Sequence, residues 1–196
     1  MSKSISGAFT KEKSDELYTP KILVECIKPF FDKWLSSQNK EEENIVVWLP
    51  FDKSKSEFNF FFRENYKCEV ICTHINNDQD FFKLVKFMNY DIAISNPPFS
   101  KKLKVYQELD KRNKPWVMLG NLMQINYMEI GNYFYEESGL QMIIPDKRVS
   151  FNGNPSSFCS GYFCKAFLKD RDLEFVHLEH CNSGKNFIPS RMYEDM

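Results

Sequence analysis

Tyr90-Asp91-Ile92-Ala93-Ile94-Ser95-Asn96-Pro97-Pro98-Phe99-Ser100 reads as a short buried strand that stops at two prolines. Ile92, Ala93 and Ile94 form the continuous apolar run expected of a strand covered on both faces. Pro97 and Pro98 have no N–H to give to a sheet ladder, so the strand ends before them. Each proline also biases the residue before it away from the helical region. The result is a stiff turn at the carboxyl end of a strand, where open α/β sheets bind ligands.

Asn96 offers an uncharged side-chain carbonyl acceptor, and the Pro97 carbonyl is a second acceptor nearby. Together they suit the two hydrogens of one amino group. Phe99 adds a flat face on which a planar ring can stack. The turn therefore predicts a site for a planar molecule with an exocyclic NH2, although four such residues can also be no more than a turn. Asn96-Pro97-Pro98-Phe99 after an apolar strand resembles the catalytic motif of the S-adenosylmethionine-dependent amino methyltransferases. These act on the amino nitrogen of adenine, of cytosine or of a protein glutamine.

Composition limits the alternatives. The chain has 196 residues, enough for one domain with a sizeable core, and 19 of them are Phe. Lys and Arg number 26 against 27 Asp and Glu, so contact with nucleic acid would need a local basic patch. No apolar run approaches the ~20 residues of a membrane helix. Residues 1–14 are polar, without the apolar core of a signal peptide, and are expected to be flexible, with the domain covering 15–196. The six cysteines contain no CxxC pair. They read as reduced thiols of a cytoplasmic protein, with no metal site expected.

Along the first half, Thr19 reads as an N-cap and Pro20 as a first helical residue. A helix is expected from 20 to 35, with an apolar face from Ile22 to Trp34 and a kink at Pro29. Ile45 to Leu49 is a buried strand, followed by Pro50-Phe51-Asp52-Lys53 and a helix from 57 to 65. Asp52 reads by itself as an acid near a helix N-terminus. A second strand runs from 69 to 75. Two features common in doubly wound nucleotide-binding folds are missing, the glycine-rich turn after the first strand and the acid after the second. Asp80 reads as the cap of a helix from 81 to 87.

In the second half, a helix is expected from 101 to 112. Its lysines, Lys101 and Lys102 among them, suit either phosphate contacts or a solvated face. Strands follow at 115–120, 140–144 and 160–164, with a helix from 122 to 137 ended by Gly139, and a last strand at 173–178. The loop from Pro145 to Pro155 joins Lys147 and Arg148 to Phe151, Asn152 and Gly153, basic and aromatic groups on turn chemistry. His177 and His180 are three residues apart but lack the further ligands a zinc site needs.

Several of these pieces together resemble the EcoRI-type adenine-specific DNA methyltransferases, including short phage forms. They are Pro50-Phe51-Asp52-Lys53, Asn96-Pro97-Pro98-Phe99-Ser100, the Asp146-Lys147-Arg148 loop and the Gly161-Tyr162-Phe163-Cys164 strand. The resemblance spans Asp15 to about Leu168. It implies a single α/β domain of the Rossmann-like class I methyltransferase fold, with a mostly parallel sheet. The implied activity is methylation of adenine N6 in DNA, with a flipped-out base as substrate, in a restriction–modification or phage setting. Asn96, Pro97, Pro98 and Phe99 would be catalytic. S-adenosylmethionine would be held by Tyr18, Thr19, Pro20, Pro50, Phe51, Asp52, Asp80 and Phe81, with Asn76 or Asn77 at the ribose. Lys101, Lys102, Lys147 and Arg148 would meet phosphate, and Phe151 or Asn152 the base. A protein partner that supplies specificity, a catalytically inactive binding protein, and methylation of RNA or a protein glutamine are the alternatives.

Overall fold

A computed structural model describes residues 18–137, 139–153 and 159–191. The 1–14 segment, the domain's expected start at Asp15 and the loop residues Asn154, Pro155 and Phe158 lie outside them. Seven strands form one sheet: β1 (Val46–Leu49), β2 (Glu69–Cys72), β3 (Ile92–Ser95), β4 (Trp116–Asn121), β5 (Leu140–Pro145), β6 (Ser160–Lys165) and β7 (Leu173–Val176). Their spatial order is β2-β1-β3-β4-β6-β5-β7. All pairings are parallel except those of β6, which lies antiparallel between β4 and β5.

Side-chain alternation along the strands builds a core on each face of the sheet. Val47, Leu49, Ile92, Ile94, Val117, Leu119, Tyr162 and Cys164 point to one face. There they meet α1 (Lys21–Glu25), α2 (Lys28–Ser36) and α3 (Glu57–Asn65) through Leu23, Phe31, Trp34, Phe58 and Phe62. Trp48, Ala93, Trp116, Met118 and Phe163 point to the other, against α4 (Phe81–Leu84), α5 (Lys102–Asp110) and α6 (Met128–Glu136). Aromatic stacking fills this second face. Trp48 stacks on Phe81 with centroids 5.5 Å apart, and Tyr106 on Trp116 at 5.2 Å. Among the described residues eight Phe are buried, Phe31, Phe62, Phe81 and Phe163 among them, and supply part of this core.

Several boundaries differ from the sequence reading. The expected helix from 20 to 35 is two helices, because Pro29 lies in the first turn of α2, where its missing N–H costs nothing. Thr19 does not cap α1. The cap residue is Pro20, whose carbonyl accepts from Leu23 (3.0 Å) and Val24 (3.3 Å). The expected helix from 122 to 137 starts as a 3-10 segment, Leu122–Asn126, and becomes α-helical only at Met128. The helix ends at Glu136 with the extended cap residue Glu137, so Gly139, at φ 91°, lies beyond the helix end and is not its terminator. All six cysteines are free thiols. Among the described residues, no helix is long and apolar enough to cross a membrane, and no cluster of side chains could hold a metal ion.

Candidate active site

The carboxyl ends of β1, β2 and β3 lie side by side, and a cavity of about 360 Å3 opens above them. That size falls within the range of small-molecule sites. Pro50, Phe51 and Asp52 reach it from the end of β1, His74, Ile75, Gln79, Asp80 and Phe81 from beyond β2, and Asn96 to Phe99 from β3. Tyr18 and Thr19 close one side, and Ser190 lies in the wall. The structure therefore gathers the expected cofactor residues Tyr18, Thr19, Pro50, Phe51, Asp52, Asp80 and Phe81 around one space. Pro20 is buried behind it as the cap of α1.

The missing glycine-rich turn has a local explanation. Among the described residues, the non-glycine positions with positive φ are Asp78, Asn113, Ala166 and Asn182. None lies between Pro50 and Ser56, so this turn does not need the conformational freedom that glycine supplies. Side chains hold it instead. The Thr73 hydroxyl accepts from Trp48 Nε1 (2.9 Å) and donates to the Pro50 carbonyl (3.3 Å). Ser56 caps α3 by accepting from Asn59 N–H (3.1 Å).

Asp52 is a buried acid of the cavity, 8% exposed. Ser95 Oγ donates to its Oδ2, and Ser56 adds a second hydrogen bond. Burial outweighs both and pushes the carboxyl up from 3.8 to about 6. The expectation of an acid at a helix N-terminus applies to Glu57, not Asp52. Glu57 opens α3 and is 3% exposed. Its Oε2 accepts from Arg191 Nε (3.1 Å) and Nη2 (3.0 Å), and its Oε1 from the Arg191 backbone (2.7 Å). The Arg191 guanidinium also lies 3.8 Å over the Phe60 ring. This clamp fixes the segment that carries Ser190. It joins residues 134 positions apart, which no local sequence pattern signals.

Asp80 both caps α4, accepting from Phe82 N–H (2.9 Å), and lines the cavity, so the two readings of this residue are compatible. Asn76 is exposed and outside the wall, which corrects its expected place at a ribose. Its backbone N–H donates instead to His74 Nδ1 (3.1 Å), so a neutral His74 carries its proton on Nε2. Buried His74 and half-buried Gln79 are the polar residues beyond β2 that the sequence reading missed.

Asn96 sits where two spaces meet. It lines the large cavity and also a small pocket of about 10 Å3 with Phe99, Leu119, Gly120, Asn121, Phe151 and Ser160. Its Nδ2 donates to Thr19 Oγ1 (3.3 Å), which turns the amide and sets its Oδ1 on the opposite side. Phe151 shares that wall with Asn96, while Asn152 is exposed and outside it. A Cβ at Gly120 would stand 2.5 Å from Gln124 Nε2 and 3.2 Å from the Phe163 ring, so Gln124 would have to move aside.

The expected phosphate contacts divide. Lys101 lines the large cavity, with its ammonium 5.6 Å from the centre of the Phe82 ring. Lys102 is 5% exposed and faces the Phe99 ring at 4.5 Å, so it does not present a charge to a phosphate. Burial pushes its ammonium down to about 8. Lys147 is turned inward, donating to the Leu178 carbonyl and to Asp146 (3.2 Å). Arg148 is exposed. The loop that carries them is packed against the chain's end, with Ser150 N–H donating to the Cys181 carbonyl (2.9 Å) and Asn182 Nδ2 to the Ser150 carbonyl (2.9 Å).

No family model matches the chain, and no curated protein matches its sequence. Among solved structures, it is similar to a Listeria monocytogenes protein assigned to the class I S-adenosylmethionine-dependent methyltransferases. The TM-score is 0.53 at 9% identity, over 93% of this chain and 71% of that one. With the cavity at the carboxyl ends of β1 to β3, the strand order and this likeness give the chain the fold of the class I S-adenosylmethionine-dependent methyltransferases.

Proposed function

We propose that this chain transfers a methyl group from S-adenosylmethionine to the exocyclic amino nitrogen of adenine in DNA. The observation that carries the reading is the position of Asn96, an oriented amide between a cofactor-sized cavity and a pocket walled by aromatic rings. The residues present suit the cofactor. Asp52 is a buried carboxylate able to meet an ammonium group, Asp80 is an acceptor for a purine amino group, and Phe51 and Phe81 are apolar faces. When bound, S-adenosylmethionine supplies an electrophilic methyl on sulfur.

The amino nitrogen of adenine is a poor nucleophile because its lone pair is delocalised into the ring. Asn96 Oδ1 and the Pro97 carbonyl accept its two hydrogens and favour the geometry in which that lone pair is localised. The nitrogen–carbon bond forms as the carbon–sulfur bond breaks, and the extra proton on nitrogen passes to water. The acceptors stand ready for charge that develops on nitrogen, and the stiff proline turn holds them in place. Phe99, 38% exposed, offers the stacking face for a base flipped out of its duplex. Because the small Asn96 pocket is only about 10 Å3, Phe99 or Phe151 must shift to admit a base.

Support for DNA adenine over other amino substrates comes from the resemblance of Pro50-Phe51-Asp52-Lys53 and Asn96 to Ser100 to the EcoRI-type enzymes. Among the described residues of the loop, Arg148 and Asn152 are exposed, on the side where a nucleic acid or a specificity partner would be met. The test is transfer of labelled methyl to unmethylated DNA, RNA and protein substrates by the intact chain and by Asn96→Ala. Label in DNA adenine that falls at least about 100-fold in the variant is expected. A folded chain that binds S-adenosylmethionine but labels only RNA or protein would overturn the substrate. One that binds no S-adenosylmethionine would overturn the reading as a whole.

A further inference from the structure

We infer that the free edge of β7 is a self-association surface, on which a second copy of this chain pairs antiparallel about a twofold axis at Phe175. The inference is independent of the proposed methyl transfer. β7 ends the sheet, and no described strand lies beyond it. It pairs in parallel with β5, which fixes where its backbone groups point. Met142 N–H donates to the Asp172 carbonyl (2.7 Å) and Asp146 N–H to the Val176 carbonyl (2.9 Å). In a parallel ladder the residues that bond the neighbour alternate. Asp172, Glu174 and Val176 therefore face β5, and Leu173, Phe175 and His177 direct their N–H and C=O groups outward. The alternation persists to Leu178, whose N–H turns inward to Asp146 Oδ1 (2.9 Å).

The side chains of those outward-bonding residues share one face and are exposed. Leu173 is 47% exposed, Phe175 67%, and the His177 side chain 76%. Edges are normally blunted by lysine, proline or a bulge. Residues 172 to 178 contain no lysine and no proline. A row of unpaired backbone groups flanked by a large apolar side chain is a template for another strand.

The sequence selects a second copy as that strand. With the axis at Phe175, the two Phe175 residues become a hydrogen-bonded pair, and Leu173 lies opposite the partner's His177. Arg171 then lies opposite the partner's Glu179. Both Arg171 and Glu179 are exposed. In this register outward groups meet outward groups, the two Phe175 rings meet, and Arg171 and Glu179, beyond the strand ends, bring opposite charges to the same side. A register shifted by one residue would set outward-bonding residues opposite inward-bonded ones, Phe175 opposite the partner's Val176, and the ladder could not form. The edge is four strands from β3, roughly 19 Å at normal strand spacing, so pairing leaves the candidate active site open.

Sedimentation velocity over a range of concentrations tests the inference. The intact chain is expected to show a concentration-dependent monomer–dimer equilibrium, abolished by Phe175→Lys. Arg171→Glu or Glu179→Arg alone sets like charges across both ends and should weaken the dimer about tenfold. The double variant Arg171→Glu, Glu179→Arg should restore it. At concentrations where the intact chain is monomeric, thermal unfolding should be unchanged in the variants, because all three side chains are exposed. A chain that stays monomeric throughout, as it would with another segment covering the edge, overturns the inference. So does a dimer insensitive to Phe175→Lys, or charge reversals that add instead of cancelling.

Discussion

Replacing Asp52 with Asn should make the protein more stable and weaken its proposed cofactor binding. Burial raises the Asp52 carboxyl from 3.8 to about 6. Below pH 3.8 the folded and unfolded chains both hold the proton, and Asp52 costs nothing. As the pH rises, the unfolded chain releases it first, and stability is lost until the folded carboxyl has also ionised above about pH 6. The gap corresponds to about 3 kcal/mol. An Asn side chain keeps an acceptor for Ser95 Oγ without the buried charge. Asp52→Asn should thus gain up to about 3 kcal/mol at pH 7.5, which for a chain of this length is roughly 6–12 °C in Tm. At pH 3.5 the two proteins should unfold together.

The same charge has the opposite effect on ligand affinity. An ammonium group beside Asp52 favours the carboxylate, so S-adenosylmethionine affinity should fall about tenfold per pH unit below about 6 in the intact chain. In Asp52→Asn it should be weak and flat with pH. Calorimetric unfolding and binding titrations between pH 5 and 8 measure both. A variant with unchanged stability at pH 7.5, or an intact chain whose affinity ignores pH in that window, would refute the argument that a desolvated carboxylate is held here for a cationic ligand.

Lys102→Met should also stabilise, by about 2 kcal/mol at pH 7, since a buried ammonium is lost at the expense of its contact with Phe99. The gain should shrink between pH 8 and 10.5, as the folded chain loses the proton that the unfolded chain keeps; a gain constant with pH in urea unfolding would contradict it. Gly120→Ala should cost about 1–3 kcal/mol in urea unfolding, because the new methyl displaces Gln124 from its hydrogen bond to Tyr106 Oη (2.9 Å). Arg191→Ala should cost up to about 3 kcal/mol by leaving Glu57 buried and unpaired, and Glu57→Gln in the same chain should recover part of it. An additive double variant would show that the pair does not act as a unit.

The legible parts of the fold were those where one local rule dominates. The apolar runs of β1 and β3 identify buried strands without help from the rest of the chain. Pro97-Pro98 fixes a strand end because proline cannot continue a ladder. The less legible parts depend on partners distant in sequence. Thr19 looks like a helix cap by residue type, but the Pro20 carbonyl starts the helix and the Thr19 hydroxyl turns to Asn96, 77 residues away. Lys102 and Lys147 look like a basic face, yet the first packs under Phe99 and the second bonds the Leu178 carbonyl. Asn76 was expected at the cavity from its place after β2. The 3-10 turn Ile75–Asn77 instead carries Asn76 to the surface and leaves His74 in the wall.

The end of β3 connects the two halves of the candidate site. Successive residues of a strand point to opposite sides. Ser95 turns its hydroxyl to Asp52 at the end of β1, in the large cavity. Asn96, the next residue, turns its amide to Thr19, at the boundary of the small pocket. One peptide step thus positions the carboxylate suited to a cationic ligand and the amide suited to an amino group. The prolines that follow remove the backbone freedom by which either could drift. A glycine-rich turn after β1 becomes unnecessary in this arrangement. Asp52 is held by Ser95 and Ser56, and the Pro50 carbonyl by Thr73, so side-chain hydrogen bonds supply the order that close backbone approach supplies elsewhere.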